Sequence, residues 1–246
     1  MEEREYEVLY QVEQKHFWYQ ALHKKIVDTL NELFPQRSEI RILDAGCGTG
    51  FLLQKMQTSN FAAGIDLSQH ALEFCARRNL PNIARATVLQ LSFGSETFDA
   101  VVSADVLYHR NVPEDRKALL EFYRILKPGG TLIVNLPAFE FLRSAHDRAI
   151  HTQRRYKKKQ IEILMRSCGF KIDRLYYWNC LLFPLIAFLR ILRKKNLKSD
   201  RIPESDLVLP PRFVNQGLAR ILFADDWLAK RIPWPAGVSI FCVAFK

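Results

Sequence analysis

The chain has 246 residues, 48% apolar and 25% charged, with a formal net charge of +10 at pH 7. These values suit one globular domain able to bury a core without staples, and exclude a disordered or fibrous chain. The charge is uneven: residues 1–139 carry −2 and residues 140–246 carry +12. A basic half of this kind suits an anionic membrane, nucleic acid or an acidic substrate, or merely a solvated surface. The cysteines at 47, 75, 168, 180 and 242 form no CxxC pair and have no ligand-like spacing to a histidine, so reduced thiols and no metal site are expected. The start, Met1-Glu-Glu-Arg-Glu, is acidic and lacks an apolar signal core, and a cytoplasmic location is expected.

In chain order, helical spacing runs from Glu2 to Phe34, with the aromatic cluster His16-Phe17-Trp18-Tyr19 near its middle. A strand is predicted at Arg41–Asp44 and a helix from Gly50 to Met56. A second strand at Ala62–Asp66 precedes a helix opened by Ser68 as N-cap. Further strands are predicted at Ala86–Leu89, Phe98–Ser103 and Thr131–Leu136, the last after a helix Asp115–Leu126 ended by Pro128-Gly129-Gly130. A helix Tyr156–Cys168, a strand Lys171–Tyr177, an apolar helix Cys180–Arg193, a helix Phe213–Lys230 and a strand Val238–Phe245 complete the pattern. Strands alternating with helices predict an α/β fold with a mostly parallel sheet of seven strands, the last antiparallel. The whole forms one domain: a helical lid over 1–38, a core over 39–178, a helical insertion over 179–235 and a final strand over 236–246.

The glycines at 46, 48 and 50 let the backbone turn sharply after a strand and approach a ligand closely. The helix that follows aims its free amides at that ligand, and Asp66 ends the next strand in position to meet ribose hydroxyls. Asp44-x-Gly46-x-Gly48-x-Gly50, Gly64-Ile65-Asp66-Leu67-Ser68, Leu91-Ser92-Phe93 with Phe98-Asp99-Ala100-Val101, and Leu126-Lys127-Pro128-Gly129-Gly130 resemble, in order, four motifs of the class I S-adenosylmethionine-dependent methyltransferases, of Rossmann-like fold. The resemblance implies S-adenosyl-L-methionine as cofactor. Gly46, Cys47, Gly48 and Gly50 would surround its amino-acid end, supported by Asp44. Asp66 and Leu67 would hold the ribose, Val88 and Leu89 would flank the adenine, and Ser103 would lie alongside. Thr87 stands where many members carry an acidic residue for the adenine amino group. A nicotinamide enzyme is the rival reading, since Tyr123 and Lys127 have a Tyr-x-x-x-Lys spacing, but the loop lacks G-x-G-x-x-G.

A sulfonium methyl is already electrophilic, so the protein must align the acceptor and, for a hydroxyl, supply a base. His109 is the first candidate base, with Asp105 nearer the cofactor and Tyr108 lining the pocket. A second group, the other candidate source of a base through His146, comprises His146, Asp147, His151, Arg154, Arg155 and Tyr156; it is similar to a subset of bacterial methyltransferases with Asp and His before Arg-Arg-Tyr. Arg154 and Arg155 would either bind an anionic group of the acceptor or pair with the protein's own carboxylates. Trp18 would close the site as part of an aromatic lid. Cys180–Leu189 is apolar but too short to cross a membrane, and Arg190, Arg193, Lys194, Lys195 and Lys198 follow it; a cap over the acceptor, an interfacial helix, a dimer contact and a packed insertion all fit. The fourth-strand loop reads Ser103-Ala104-Asp105-Val106 and the basic runs lack stacking aromatics, which argues against nucleic acid as acceptor. The expected reaction is methyl transfer to O or N of a small, hydrophobic or aromatic metabolite by a monomer or homodimer. A non-catalytic cofactor-binding scaffold, or an enzyme acting on a membrane-associated lipid or quinone, are the alternatives.

Overall fold

A computed structural model describes residues 1–35, 40–58, 60–194 and 207–246, with no side-chain description for 193 and 194. Seven strands form one sheet: β1 Arg41–Ala45, β2 Phe61–Asp66, β3 Ile83–Arg85, β4 Phe98–Ala104, β5 Leu126–Pro137, β6 Lys171–Trp178 and β7 Ser239–Phe245. Their order is β3-β2-β1-β4-β5-β7-β6. β3, β2, β1, β4 and β5 pair in parallel, and β7 runs antiparallel between β5 and β6. This is the Rossmann-like α/β sheet with its reversed last strand. Asp44 at the end of β1 lies between Gly64 and Val102, at the place where the strand order reverses and open α/β sheets bind ligands.

Nine helices lie among the described residues: α1 Glu3–Val12, α2 Phe17–Leu33, α3 Phe51–Met56, α4 Gln69–Arg77, α5 Asp115–Ile125, α6 Ala145–Ala149, α7 Lys158–Ser167, α8 Phe183–Lys194 and α9 Arg212–Ala229. Ser68 caps α4 as expected, its hydroxyl accepting from the Ala71 amide. Two cores flank the sheet. One packs Phe98, Phe122 and Leu132 beneath α5 and α7; the other packs Ile26, Ile42, Leu53 and Trp178 beneath α2 and α3.

Three local expectations are corrected. The helix predicted over Glu2–Phe34 is two helices. The chain breaks at Glu13–His16 because the Glu13 carboxylate turns into the protein, and the buried side chain of Asn215 satisfies the break by accepting from the Phe17 amide (2.9 Å) and donating to the Lys15 carbonyl (2.7 Å). His16 then caps α2, its Nδ1 accepting from the Trp18 amide. The third strand lies at Ile83–Arg85, not Ala86–Leu89, since pairing with Gly64–Asp66 ends there and Thr87–Gln90 forms a tight turn. β5 begins at Leu126, so Pro128-Gly129-Gly130 lies within an extended run and not between elements. Lys195 and Lys198, counted toward a basic edge after α8, lie outside the described residues, as do the side chains of Arg193 and Lys194.

Candidate active site

The first turn after β1 is built by backbone geometry that only glycine takes without strain. Gly46 has φ +97°, and a Cβ placed there would sit 2.2 Å from Val106 Cγ2. Cys47 is buried under the turn, its sulfur 3.8 Å from that of Cys75. Gly50, at φ +84°, leads into α3. The Gly48 amide donates to Asp66 Oδ2 at 3.0 Å and the Ser68 amide to Asp66 Oδ1 at 2.9 Å, which fixes the Asp66 carboxylate beside the glycine turn.

A cavity of about 800 Å³ opens over this turn, large enough for a cofactor and a second small molecule. Asp44, Gly46, Cys47, Gly48, Asp66, Leu67 and Val88 line it. Gly50, Leu89 and Ser103 do not: Gly50 caps α3 and Ser103 is buried in β4. Asp44 is 2% exposed and its Oδ2 has no hydrogen-bond partner. Burial, with Asp66 and Glu13 nearby, pushes its carboxyl up to about 8. A buried, unpartnered carboxylate oxygen calls for a cationic or donating ligand group, and the ammonium and sulfonium of S-adenosylmethionine are of that kind. The residues present therefore fit that cofactor: the glycine turn and Asp44 would hold its amino-acid end, Asp66 would stand at its ribose, and Val88 with Thr87 would lie against its base.

Asp44→Asn should separate stability from binding. With its folded value above the ordinary 3.8, Asp44 favours folding below pH 4 and loses that contribution as pH rises toward 8. The variant is expected to melt a few degrees higher than the unliganded parent at pH 8 and to bind S-adenosylmethionine about tenfold or more weakly. Thermal melts with and without ligand check both.

α1 and α2 roof the cavity. Glu13, at the break between them, accepts from the Thr49 hydroxyl and from Arg78 Nη2 (2.5 Å), while Arg78 Nε donates to the Thr49 carbonyl. This buried triad ties the roof to the glycine turn. Lys25 of α2 is rooted as firmly: it pairs with Asp226, donates to the Tyr176 hydroxyl at 2.9 Å and lies over the Trp178 and Phe241 rings. Trp18 lines the cavity and stacks on Trp178 with centroids 4.9 Å apart. Burial and the neighbouring His146 pull His16 down to about 4, which keeps it neutral in the cavity wall.

Asp105 follows β4 in the left-handed region, at φ +60°, where Asp is better tolerated than most residues. Its Oδ1 accepts from Asn135 Nδ2 at 2.9 Å, and Asn135 Oδ1 accepts from Trp178 Nε1 at 2.8 Å. Because indole can only donate, Trp178 fixes the Asn135 amide with its NH2 toward Asp105. Burial raises the Asp105 carboxyl to about 7, opposed by Asn135 and Arg155. Asp105 therefore exchanges a proton near neutrality while facing the cavity.

His109 also lines the cavity, but both ring nitrogens are engaged, Nδ1 by the Asn111 amide (3.1 Å) and Nε2 by the Met1 nitrogen (2.9 Å). Burial, then nearby cations, lower it to about 4, a weak base. Tyr108 and His146 line the same space. Arg155 reaches the wall but binds Asp147 through two nitrogens and the Ala138 carbonyl through a third. Arg154 pairs with Asp115 and the Val112 and Pro113 carbonyls, and Tyr156 donates to Leu107 and Asp115; neither lines the cavity. Of the two roles open to these arginines, both make the pairing with the protein's own acceptors. Tyr123 and Lys127, the rival dehydrogenase pair, also lie outside the cavity, packed on Phe170 and paired with Asp99. The aromatic lid expected at His16-Phe17-Trp18-Tyr19 does line the cavity, whereas Glu13, Asn135 and Asn179 were not expected as site residues.

Residues 43–134 match the family described as "Methyltransferase domain". A ubiquinone/menaquinone biosynthesis C-methyltransferase of Syntrophotalea carbinolica is 40% identical over 102 residues, 38% of this chain and 42% of that protein. A tRNA (carboxymethyluridine(34)-5-O)-methyltransferase of Arabidopsis thaliana is 35% identical over 100 residues, 40% of this chain and 24% of that protein. The chain thus matches less than half the length of either relative. A solved S-adenosylmethionine-dependent methyltransferase from Thermotoga maritima superposes over 99% of this chain and 95% of its own, with TM-score 0.60 and 18% identity, a likeness of fold. Relatives named for quinone methylation and for tRNA methylation match this chain over 102 and 100 residues, so the likeness does not fix the acceptor.

Proposed function

We propose that this S-adenosylmethionine-dependent methyltransferase of the class I fold methylates a small, lipophilic acceptor enclosed beneath α1 and α2, with Asp105 taking the proton from the accepting atom. The observation that carries this reading is the single cavity that runs from the unpartnered Asp44 carboxylate to Asp105 under a roof fixed by Glu13 and Lys25. A cavity of about 800 Å³ suits a metabolite together with the cofactor, and its wall is part aromatic and aliphatic, with Trp18, Tyr19, Leu22 and Ile186.

When bound, S-adenosylmethionine supplies a methyl group on positively charged sulfur. Asp44 would meet its cationic groups with a buried carboxyl that their approach drives toward the ionised form, and the Gly46–Gly48 turn would let the backbone come close to them. Asp105 would take the proton released by an acceptor hydroxyl, amine or acidic carbon on methylation and hold it as the neutral carboxyl. The roof would limit the access of water to the reacting atoms. Trp178 acts as a positioning residue through Asn135.

Trp178→Phe removes the donor that orients Asn135, so the amide can turn its oxygen toward Asp105. The expected outcome is a rise in the pH midpoint of kcat above about 7 and roughly a tenfold loss at pH 7, with cofactor affinity unchanged. A pH–rate profile measures it.

The acceptor is tested by incubating the protein with methyl-labelled cofactor and, separately, a solvent-extractable metabolite fraction and total tRNA. Label in an extractable small product supports this reading. Label in tRNA alone overturns it.

A further inference from the structure

α8 departs from the ordinary plan of a surface helix, which buries an apolar stripe and turns charge to water. Its inner face is occupied: Leu182 and Ala187 are buried, Ile186 lines the cavity, and Arg190 reaches the Leu142 carbonyl. Its outer face is apolar as well. Leu185, Phe188, Leu189 and Leu192 recur at helical spacing and are 43–60% exposed. α9 repeats the feature at its start, where Phe213 is 77% exposed and Ile221 lies two turns on along the same stripe. Arg212 and Arg220, their neighbours in sequence, are both exposed.

We propose that the outer face of α8 and the first turns of α9 form an interfacial surface that docks on an anionic lipid bilayer, from which the lipophilic acceptor enters the cavity. Three observations select a bilayer over a second copy of the chain. The outer face of α8 is aliphatic and aromatic and the start of α9 adds exposed Phe213 and two exposed arginines, a composition that suits helices lying in a headgroup boundary. It belongs to the half of the chain that carries +12, which an anionic surface attracts and a like-charged copy repels. And α8 itself separates the surface from the cavity, since Ile186 lines the cavity on one side while Leu185 and Phe188 face out on the other. A helix is about 10 Å across, so an acceptor dissolved in the outer acyl region would lie one helix away from the reaction chamber. No helix among the described residues is long and apolar enough to cross a membrane, and interfacial contact does not require one.

This inference deepens the proposed function by assigning the acceptor to the membrane phase, and its test needs no methyl transfer. The full chain is sedimented with vesicles of phosphatidylcholine alone and of phosphatidylcholine with one quarter phosphatidylglycerol. Partition is expected to be at least tenfold stronger on the anionic vesicles and to weaken in 0.5 M salt. Leu185→Glu/Phe188→Glu is expected to reduce it tenfold or more, and Arg212→Gln and Arg220→Gln about fivefold each. All variants are expected to keep the parental cofactor affinity by calorimetry, which also reports that they are folded. Absence of partition, or partition that the α8 pair leaves unchanged, overturns the inference. So does a dimer in sedimentation velocity that the α8 pair dissociates without vesicle binding in the parent. Any of these results leaves the proposed methylation of a small lipophilic acceptor standing, and label found only in tRNA would sink that reading whatever the vesicles show.

Discussion

Asp105→Asn is expected to lower kcat by roughly 10²–10⁴-fold, the range for loss of a general base. The substitution isolates proton transfer from architecture. Asn tolerates the left-handed backbone at φ +60° as Asp does, and its side-chain oxygen can still accept from Asn135. The cavity shape and cofactor affinity should therefore hold within about threefold, an outcome calorimetry checks. The pH profile gives the sharper reading. A carboxyl raised to about 7 must be ionised to act, so parental kcat/KM should climb through pH 7 and level off above it. In the variant that limb should vanish. If His109 were the base instead, the limb would lie near pH 4 and survive in Asp105→Asn. A variant retaining near-parental rate at pH 8 would remove Asp105 from the mechanism.

The second large effect concerns stability. Asp225, on α9 and fully buried, accepts from three consecutive backbone amides, Asn179 (2.6 Å), Cys180 and Leu181 (both 2.7 Å). These close the connection from β6 to α8, where Asn179 takes φ +55° and lines the cavity. Asp225→Ala leaves three donors facing a void. Buried donors without partners cost about 1–3 kcal/mol each, partly relieved by water, so a loss of roughly 3–5 kcal/mol is expected. For a chain of this length that is on the order of a 10 °C fall in Tm. Because α8 hangs from this connection, vesicle partition should fall with it. A Tm within a degree or two of the parent would show that α9 does not anchor the segment.

Much of the cofactor end was legible in the sequence because it is local. Asp44, Gly46, Gly48 and Asp66 are found on one cavity as their spacing suggests, while Gly50 caps α3, and strand-end placement follows from the βαβ pattern. The acceptor end was not, for physical reasons that particular residues show. The break at Glu13–His16 looks like continuous helix because its causes lie elsewhere: Thr49, Arg78 and Asn215 supply the partners that end α1. Burial raises the Asp105 carboxyl to about 7 against the opposing hydrogen bond from Asn135, which Trp178 orients, 30 and 73 residues downstream. Nothing in Ser103-Ala104-Asp105-Val106 announces that. His109, the more familiar base, sits in the cavity yet spends its nitrogens on Asn111 and Met1. Arg154 and Arg155 read equally as ligand-binding or self-paired, and Asp115 and Asp147 take them. The third strand slipped by three residues because pairing with Gly64–Asp66, not β propensity, sets its end.

The account rests on S-adenosylmethionine occupying the turn between Asp44 and Asp66. Isothermal titration of the full chain with S-adenosylmethionine and its demethylated product tests this directly, alongside Asp66→Ala. Saturable one-to-one binding of both ligands, weakened at least tenfold in the variant, is the predicted result. No binding by the parent, or binding that Asp66→Ala leaves untouched, would contradict it.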